Sequence, residues 1–503
     1  MSAPTPRRHD HERDQDFSGV DRAALLRALA AVLPPAALLF DPEDLKPYEC
    51  DGLSAYRRLP LAVALPADEA QVVAVLEICH ELGVPVVARG AGTGLSGGAL
   101  PIEHGVVLSL AKMKRILSLD PVARTAVVQP GVRNLAITEA AAPHGLYYAP
   151  DPSSQIACTI GGNIAENSGG VHCLKYGLTV HNVLRVRGVT MAGEIVEFGN
   201  HALDAPGYDL LALMIGSEGL LAVVTEVTVK LVPKPEVARV IMASFDSVTQ
   251  AGEAVAAIIA AGIVPAGLEM MDKPATAAVE PFVKAGYDLN AAAILLAESD
   301  GTPEEVEEEI AAMRAVLEKS GATDIRVSVD EAERLRFWAG RKAAFPAVGR
   351  ISPDYYCMDG TIPRKRLAEM LAAIARMEKK YGLRCANVFH AGDGNLHPLI
   401  MYDANVPGEL ERTEAFGAEI LKLSVDLGGT ITGEHGVGFE KLGSMCVQFQ
   451  PDELAAFHRV KAAFDPRGLL NPDKAVPTLH RCAEFGRMHV HAGDLKFPEL
   501  ERF

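Results

Sequence analysis

The sequence predicts an α+β fold in two successive parts, and three observations predict it. Up to about Pro233 the chain breaks into short strand-like segments separated by turn residues, with a glycine-dense loop after one of them. Pro-Lys-Pro-Glu at 233–236 interrupts that pattern, and strand–helix–strand alternation restarts beyond it. At 503 residues the chain is too long for one ordinary core.

Taken in order, Asp21 caps a helix from Arg22 to Leu33, which Pro34-Pro35 stops. Pro60 to Leu65 reads as a strand, and Asp68 with Gln71 forms a capping-box-like start for a helix over Glu69–Leu82. Gly83 ends that helix, and Val84 to Ala88 is a β-branched strand leading into Arg-Gly-Ala-Gly-Thr-Gly-Leu-Ser-Gly-Gly. Further strands fall at Val106–Leu110, Thr125–Gln129, Val183–Val189 and Leu220–Leu231. After the break, Val237 to Phe245 is strand-like and Val248 to Ala261 helical. Thr302 to Lys319 is a helix with an acidic first turn, and Val327 belongs to another strand. The acidic run at 304–309 is a solvated helix face. Glycines return from about Asp426, and Pro451 to Phe464 is a helix closed by Asp-Pro-Arg-Gly.

A formal charge of −17 argues against nucleic acid as a partner. The eight cysteines, at 50, 79, 158, 173, 357, 385, 446 and 482, form no C-x-x-C pair. Neither an iron–sulfur cluster nor a zinc ribbon is readable from them, and reduced thiols in a cytoplasmic protein are expected. The polar start has no apolar core of a secretory signal. The longest apolar run, Ala254 to Leu268, is broken by Gly262 and Pro265 and falls short of a membrane span. Membrane contact is expected only peripherally, through partners.

Gly92-Thr93-Gly94-Leu95-Ser96-Gly97 matches the G-x-G-x-x-G dinucleotide fingerprint, but that turn must run straight into a helix. Gly98-Ala99-Leu100-Pro101 follows instead, so the nicotinamide reading fails on context. What survives is local physics: glycines at 90, 92, 94, 97 and 98 let backbone N–H groups approach an anion closely. Two further segments accompany the loop: Pro150–Ser154 with Thr159–Gly170, and Gly216–Leu221 running into a strand.

These three segments, in this order, resemble the FAD-binding domain of the vanillyl-alcohol-oxidase and para-cresol-methylhydroxylase (PCMH) type. The resemblance implies that Arg89, Gly90, Ala91, Gly92, Thr93, Gly94, Leu95, Ser96 and Gly97 hold the pyrophosphate. It also implies that Pro150, Asp151, Ser153, Ser154, Thr159, Gly161, Gly162, Asn163, Ala165, Asn167 and Gly169 line the cofactor. Gly216, Glu218, Gly219, Leu221 and Val223 would meet the flavin ring, with Asn471 from the far end of the chain. Some members attach FAD through a histidine after the paired glycines; Ala99 stands there, so non-covalent FAD is expected.

A second constellation is His390-Ala391-Gly392-Asp393-Gly394-Asn395-Leu396-His397 between two apolar runs. Asp-Gly is a strong two-residue hairpin signal. With Asp393-Gly394 as the turn, paired positions sum to 787 and His390 sits opposite His397. Directly paired residues share a face with Cβ atoms about 4.5–5.5 Å apart, close enough for two imidazoles to hold one cation. A stacked histidine pair in a half-buried sheet fits the same pattern. The glycine-flanked Glu434-His435 could supply a third ligand or form an ordinary turn.

This region resembles the D-2-hydroxy-acid dehydrogenase branch of the same flavoproteins, a branch that includes D-lactate and D-2-hydroxyglutarate dehydrogenases and the glycolate oxidase D-subunit group. Likeness to that last group spans nearly the whole chain beyond the first twenty or so residues. It implies a PCMH-type FAD-binding domain at 21–235 after an N-terminus (1–20) expected to be flexible. An α/β substrate (cap) domain follows at 236–430, and a segment at 431–503 returns to the FAD domain. His390, His397 and Glu434 would bind a divalent metal, which two histidines and a carboxylate leave open among zinc, iron and manganese. Asn395 would contact substrate, Arg341 would clamp its carboxylate, and His435 would be the general base for hydride transfer from substrate to flavin N5.

Where dicarboxylate-specific relatives carry a lysine before the segment matching Asp359-Gly360-Thr361, this chain has Cys357, which favours a small monocarboxylate such as glycolate. D-lactate differs by one methyl and stays open, since a pocket discriminates that by only about 1–3 kcal/mol. A metal-dependent hydrolase would leave the glycine loop unexplained, and a non-catalytic assembly subunit would leave Arg341, Asn395 and His435 unexplained. The resemblance implies an iron–sulfur subunit and a second flavin-type subunit as partners. The tail, with Phe485, His489, His491 and Phe497, would dock one of them or pack on its own FAD domain.

Overall fold

A computed structural model describes residues 16–201 and 207–477. The tail residues named above and most of the N-terminal stretch lie outside them. Local sequence chemistry sets the first elements. Asp21 accepts from Ala23 and Ala24 N–H to start the helix Arg22–Val32. Asp68 accepts from Gln71 N–H to start the helix Glu69–Leu82, and Gly83 ends it in the left-handed conformation at φ 69°.

That helix packs on a four-stranded sheet ordered Leu38–Leu39, Ala62–Ala64, Val106–Ser109, Val86–Arg89. The last three strands are parallel. Leu470 adds to its far edge: Val86 N–H donates to Leu469 O and Asn471 N–H to Val86 O, at 2.8 and 2.7 Å. A five-stranded antiparallel sheet stands beside it, ordered Ile116–Asp120, Thr125–Val128, Val223–Lys230, Val183–Val189, Ile195–Gly199.

The remaining sheet has seven strands, ordered Asp324–Val327, Val237–Phe245, Ala293–Gly301, Gly267–Asp272, Arg384–His390, Asn395–Tyr402, Asp354–Cys357. All its pairs are antiparallel, a point that strand–helix alternation alone does not specify. Side-chain alternation splits it between two cores. Ile241, Ala243, Leu268, Met270, Phe389 and Leu396 pack under the helices Val248–Ala260, Pro303–Lys319, Leu367–Tyr381 and Glu409–Asp426. Val240, Met242, Met271, Val388 and Leu399 pack under Lys273–Val283 and Glu331–Lys342.

One register differs from expectation. His390 pairs with Asn395, and His397 with Val388, so paired positions sum to 785. The turn holds four residues, Ala391 to Gly394, because neighbours hold its backbone. Gly392 N–H donates to Leu268 O, Ile362 N–H donates to Gly394 O, and Asp393 Oδ1 takes Asn395 N–H. The slip is two residues, which preserves the face, so His390, Asn395 and His397 still project together.

The two halves are bridged. His172 Nδ1 lies 2.8 Å from Asp151 and Nε2 lies 3.1 Å from Glu298 on the seven-stranded sheet. Lys175 Nζ reaches Asp300 at 2.6 Å. The expectation of reduced thiols holds for Cys50, Cys79, Cys158, Cys173, Cys357 and Cys385, whereas Cys446 is disulfide-bonded.

Candidate active site

The strand Val86–Arg89 delivers the glycine loop, and no helix follows until Asn134–Ala141. Gly92 and Gly97 take φ of 72° and 75°, which side chains disfavour. A Cβ at Gly90 would lie 2.4 Å from Thr159 Oγ1 and 3.6 Å from Gly162 N, so the loop lies directly against the start of the helix Ile160–Glu166. Between them opens a cavity of about 370 Å³.

Most predicted cofactor residues line it: Arg89 to Leu95, Ser153, Ser154, Thr159, Gly161, Gly162, Asn163, Ala165, Glu218, Gly219 and Val223. Others stand behind the wall. Ser96 O accepts from Phe439 and Glu440 N–H, Gly97 packs on Phe439, and Asp151 is taken by His172. Asn167 accepts from Val180 N–H, and Asn471 Nδ2 donates to Gly98 O and Glu218 O. Gly169 abuts Glu434; Pro150 accepts from Asn134; Gly216 and Leu221 sit outside the lining. Sequence reasoning missed Asp51, Cys158, Glu166, Lys342, Phe345 and Pro346, which do line it. The last three come from the second half and adjoin Arg341, the one local signal for them.

Thr159 Oγ1, Asn163 Nδ2 and Glu166 Oε2 are buried without a hydrogen-bond partner. Burial, then the Glu218 charge, holds the Glu166 carboxyl well above the ordinary carboxylate range. Unmet polar atoms beside a glycine loop fit a large polar cofactor.

At one end the lining passes into His397, Glu434 and His435. Glu434 Oε1 lies 3.1 Å from His390 Nε2 and 2.9 Å from His397 Nε2, so the three predicted ligands converge on one point. Burial opposes charge on His390, but the Glu269 and Glu434 carboxylates hold it well above its ordinary pKa. This two-nitrogen, one-oxygen donor set fits a divalent cation. His397 also stacks on His435, with centroids 4.8 Å apart. Cys357, His397 and His435 lie within the same short range. Asn395 Oδ1 is buried and unpartnered.

Burial first, then the neighbouring His397 and Lys441, push His435 down to about 4, against the pull of Asp359. Its ring is therefore neutral at pH 7 and able to take a proton. Asp359, not singled out by sequence for this role, builds the loop. It accepts Gly433, Glu434 and His435 N–H at 3.2, 2.9 and 2.5 Å, and is neutralised by Lys441 at 3.1 Å. Arg341 is 1% exposed, with Nε 2.6 Å from Glu269 and a terminal nitrogen 3.5 Å from His390.

The FAD binding domain family matches residues 60–199, and the family described as FAD linked oxidases, C-terminal domain, matches 234–475. Glycolate oxidase subunit GlcD of Escherichia coli K12 is 63% identical over 495 residues, 98% of this chain and 99% of that one. The chain belongs to the FAD-linked oxidase family.

A D-lactate dehydrogenase of Anaerostipes hadrus is 33% identical to this FAD-linked oxidase, covering 88% of this chain and 95% of the relative. Among solved structures, p-cresol methylhydroxylase superposes with a TM-score of 0.79 at 19% identity, covering 92% and 98% of the two chains. The fold is therefore PCMH-type, as the glycine segments predicted. Membership makes FAD the cofactor and sets aside the hydrolase reading, which has no use for one. Among the described residues no helix is long and apolar enough to cross a membrane.

Proposed function

We propose that this FAD-linked oxidase oxidises a small 2-hydroxy acid, glycolate to glyoxylate, and passes the electrons to partner subunits. The observation that carries the reading is that the glycine loop and the His397–Glu434–His435 edge open onto one cavity. Identity of 63% to a relative named as a glycolate oxidase subunit supports both the substrate and the multi-subunit setting.

Bound FAD would accept the hydride from Cα, and a divalent cation held by His390, His397 and Glu434 would polarise the 2-hydroxyl. The chain's own residues do the rest. Neutral His435 takes the hydroxyl proton, and its ring is held in place by stacking on His397. Arg341, pinned through Nε and buried beside His390 behind the cavity lining, would clamp the substrate carboxylate, with Lys342 at the cavity wall itself. Asn395, whose side-chain Oδ1 has no other partner, would contact substrate. Cys357 supplies no charge for a second carboxylate.

An iron–sulfur subunit and a second flavin-type subunit would take the electrons onward, with any membrane contact through them and the chain itself cytoplasmic. D-lactate is the second reading, favoured by the D-lactate dehydrogenase relative.

The purified full chain, loaded with FAD and mixed with glycolate without oxygen, should lose its flavin absorption bands. Bleaching by D-lactate alone would keep the chemistry and change the substrate. Bound flavin that neither acid bleaches would overturn the proposal.

A further inference from the structure

Glu269 lies in the run Gly267-Leu268-Glu269-Met270-Met271-Asp272, a strand at the middle of the seven-stranded sheet. Its side chain points to the same sheet face as His390 and is 1% exposed. A carboxylate there has lost its water and needs donors for both oxygens. It has them: Oε1 is 2.8 Å from His390 Nδ1 and Oε2 is 2.6 Å from Arg341 Nε. The two donors come from sequence positions 121 and 72 residues away, on a different strand and on the helix Glu331–Lys342.

We infer that Glu269 is a positioning residue that sets the tautomer of His390 and the pose of Arg341 together, and so tunes the divalent-cation site without touching the cation. The inference rests on the cation reading of His390, His397 and Glu434. A carboxylate can only accept, so the proton between Glu269 and His390 belongs to Nδ1. The ring then has only Nε2 to offer a cation, and Nε2 is the atom that faces Glu434. Arg341 cannot substitute for Glu269. Its terminal nitrogen is 3.5 Å from both ring nitrogens, in line with neither lone pair. Because the second oxygen holds Arg341 Nε, the cation ligand and the carboxylate-binding side chain share one anchor.

Glutamine is the discriminating replacement. It keeps shape and volume but brings one acceptor and one donor where two acceptors are required. Either the amide N–H faces Arg341 and repels it, leaving His390 Nδ1–H a neutral acceptor in place of a carboxylate and the ring a weaker ligand, or it faces His390 Nδ1. In the second case the ring must carry its proton on Nε2, which removes the lone pair the cation needs.

The test uses the full-length flavoprotein after chelator treatment, titrated with Mn²⁺ alone and followed by loss of the free-ion electron paramagnetic resonance signal. Glu269→Gln should weaken Mn²⁺ about 10–100-fold, with bound flavin unchanged, and should raise KM for glycolate as Arg341 loosens. Arg341→Gln, which leaves the Glu269–His390 contact in place, should raise KM but leave Mn²⁺ affinity near wild type. If E269Q binds Mn²⁺ as wild type does, the positioning role is overturned. If E269Q does not fold, E269D decides by the same reading: its shorter reach should weaken Mn²⁺, and unchanged affinity overturns the inference. Wild-type protein that binds no Mn²⁺ would overturn the cation reading itself, a result distinct from a variant that matches a binding wild type.

Discussion

The backbone N–H of His435 donates to Asp359 at 2.5 Å, while the ring Nδ1 of the same histidine stands 3.8 Å from that carboxylate without a partner. The loop is thus fixed by its backbone and the base is left free. Replacing His435 by Ala should leave flavin and cation bound and slow flavin reduction by glycolate about 10²–10⁴-fold, read by anaerobic stopped flow. A normal reduction rate in the variant would remove the assigned role.

The acid limb of activity follows from the same ring. His435 is pushed down to about 4, chiefly by burial, so its basic form persists well below neutral pH. The flavin reduction rate should stay level from pH 7 to about one unit above that value and fall as pH approaches 4. An inflection near the ordinary histidine value of about 6.5 would contradict this environment.

The His172 bridge should leave a different pH signature, in stability. Burial opposes charge on His172, but Asp151 and Glu298 hold its pKa well above the ordinary value. A pKa raised on folding contributes stability that is fully present below the unfolded value of about 6.5 and lost as pH rises through the folded one. His172→Gln should therefore lower the thermal midpoint more at pH 6 than at pH 9. The cost at pH 6 should be about 3 kcal/mol, the lower end for a broken buried pair, because Glu298 keeps Arg334 at 2.8 Å. A midpoint difference independent of pH would sink the ionic account.

Gly90 tests the cofactor cavity. A methyl there would crowd Thr159 Oγ1 at 2.4 Å and force the two walls apart. Gly90→Ala should weaken FAD by about 1–3 kcal/mol, roughly 5–150-fold, measured as flavin retained through gel filtration and by titration of the stripped protein. Full retention would mean the walls can yield.

What could be read beforehand divides along the range of the interactions. Helices whose caps lie within three residues, Glu69–Leu82 and Pro451–Phe464, have the bounds their sequence signals set. The same holds for the β-branched strands Val183–Val189 and Val237–Phe245. The glycine segments carried the cofactor family because close backbone approach leaves a local mark. The hairpin register was not local: Leu268 and Ile362 hold the turn from other strands and loops. Glu269 was equally hidden, since it sits in a run that reads as buried strand and its partners lie far along the chain. Asp359 acts through three backbone N–H groups of a loop more than seventy residues on.

The closing stretch of chain has a consequence for the order in which the molecule can mature. The first sheet takes Leu470 against Val86 at its edge, and Glu218 finds its donors in Val437 and Gly438 N–H at 2.7 and 2.6 Å. A nascent chain halted near residue 235 would have that edge open and that carboxylate unanswered. The cavity wall is thus completed late in synthesis, and cutting the protein between its halves would leave the glycine loop without the part of that wall supplied by Lys342, Phe345, Pro346 and His435.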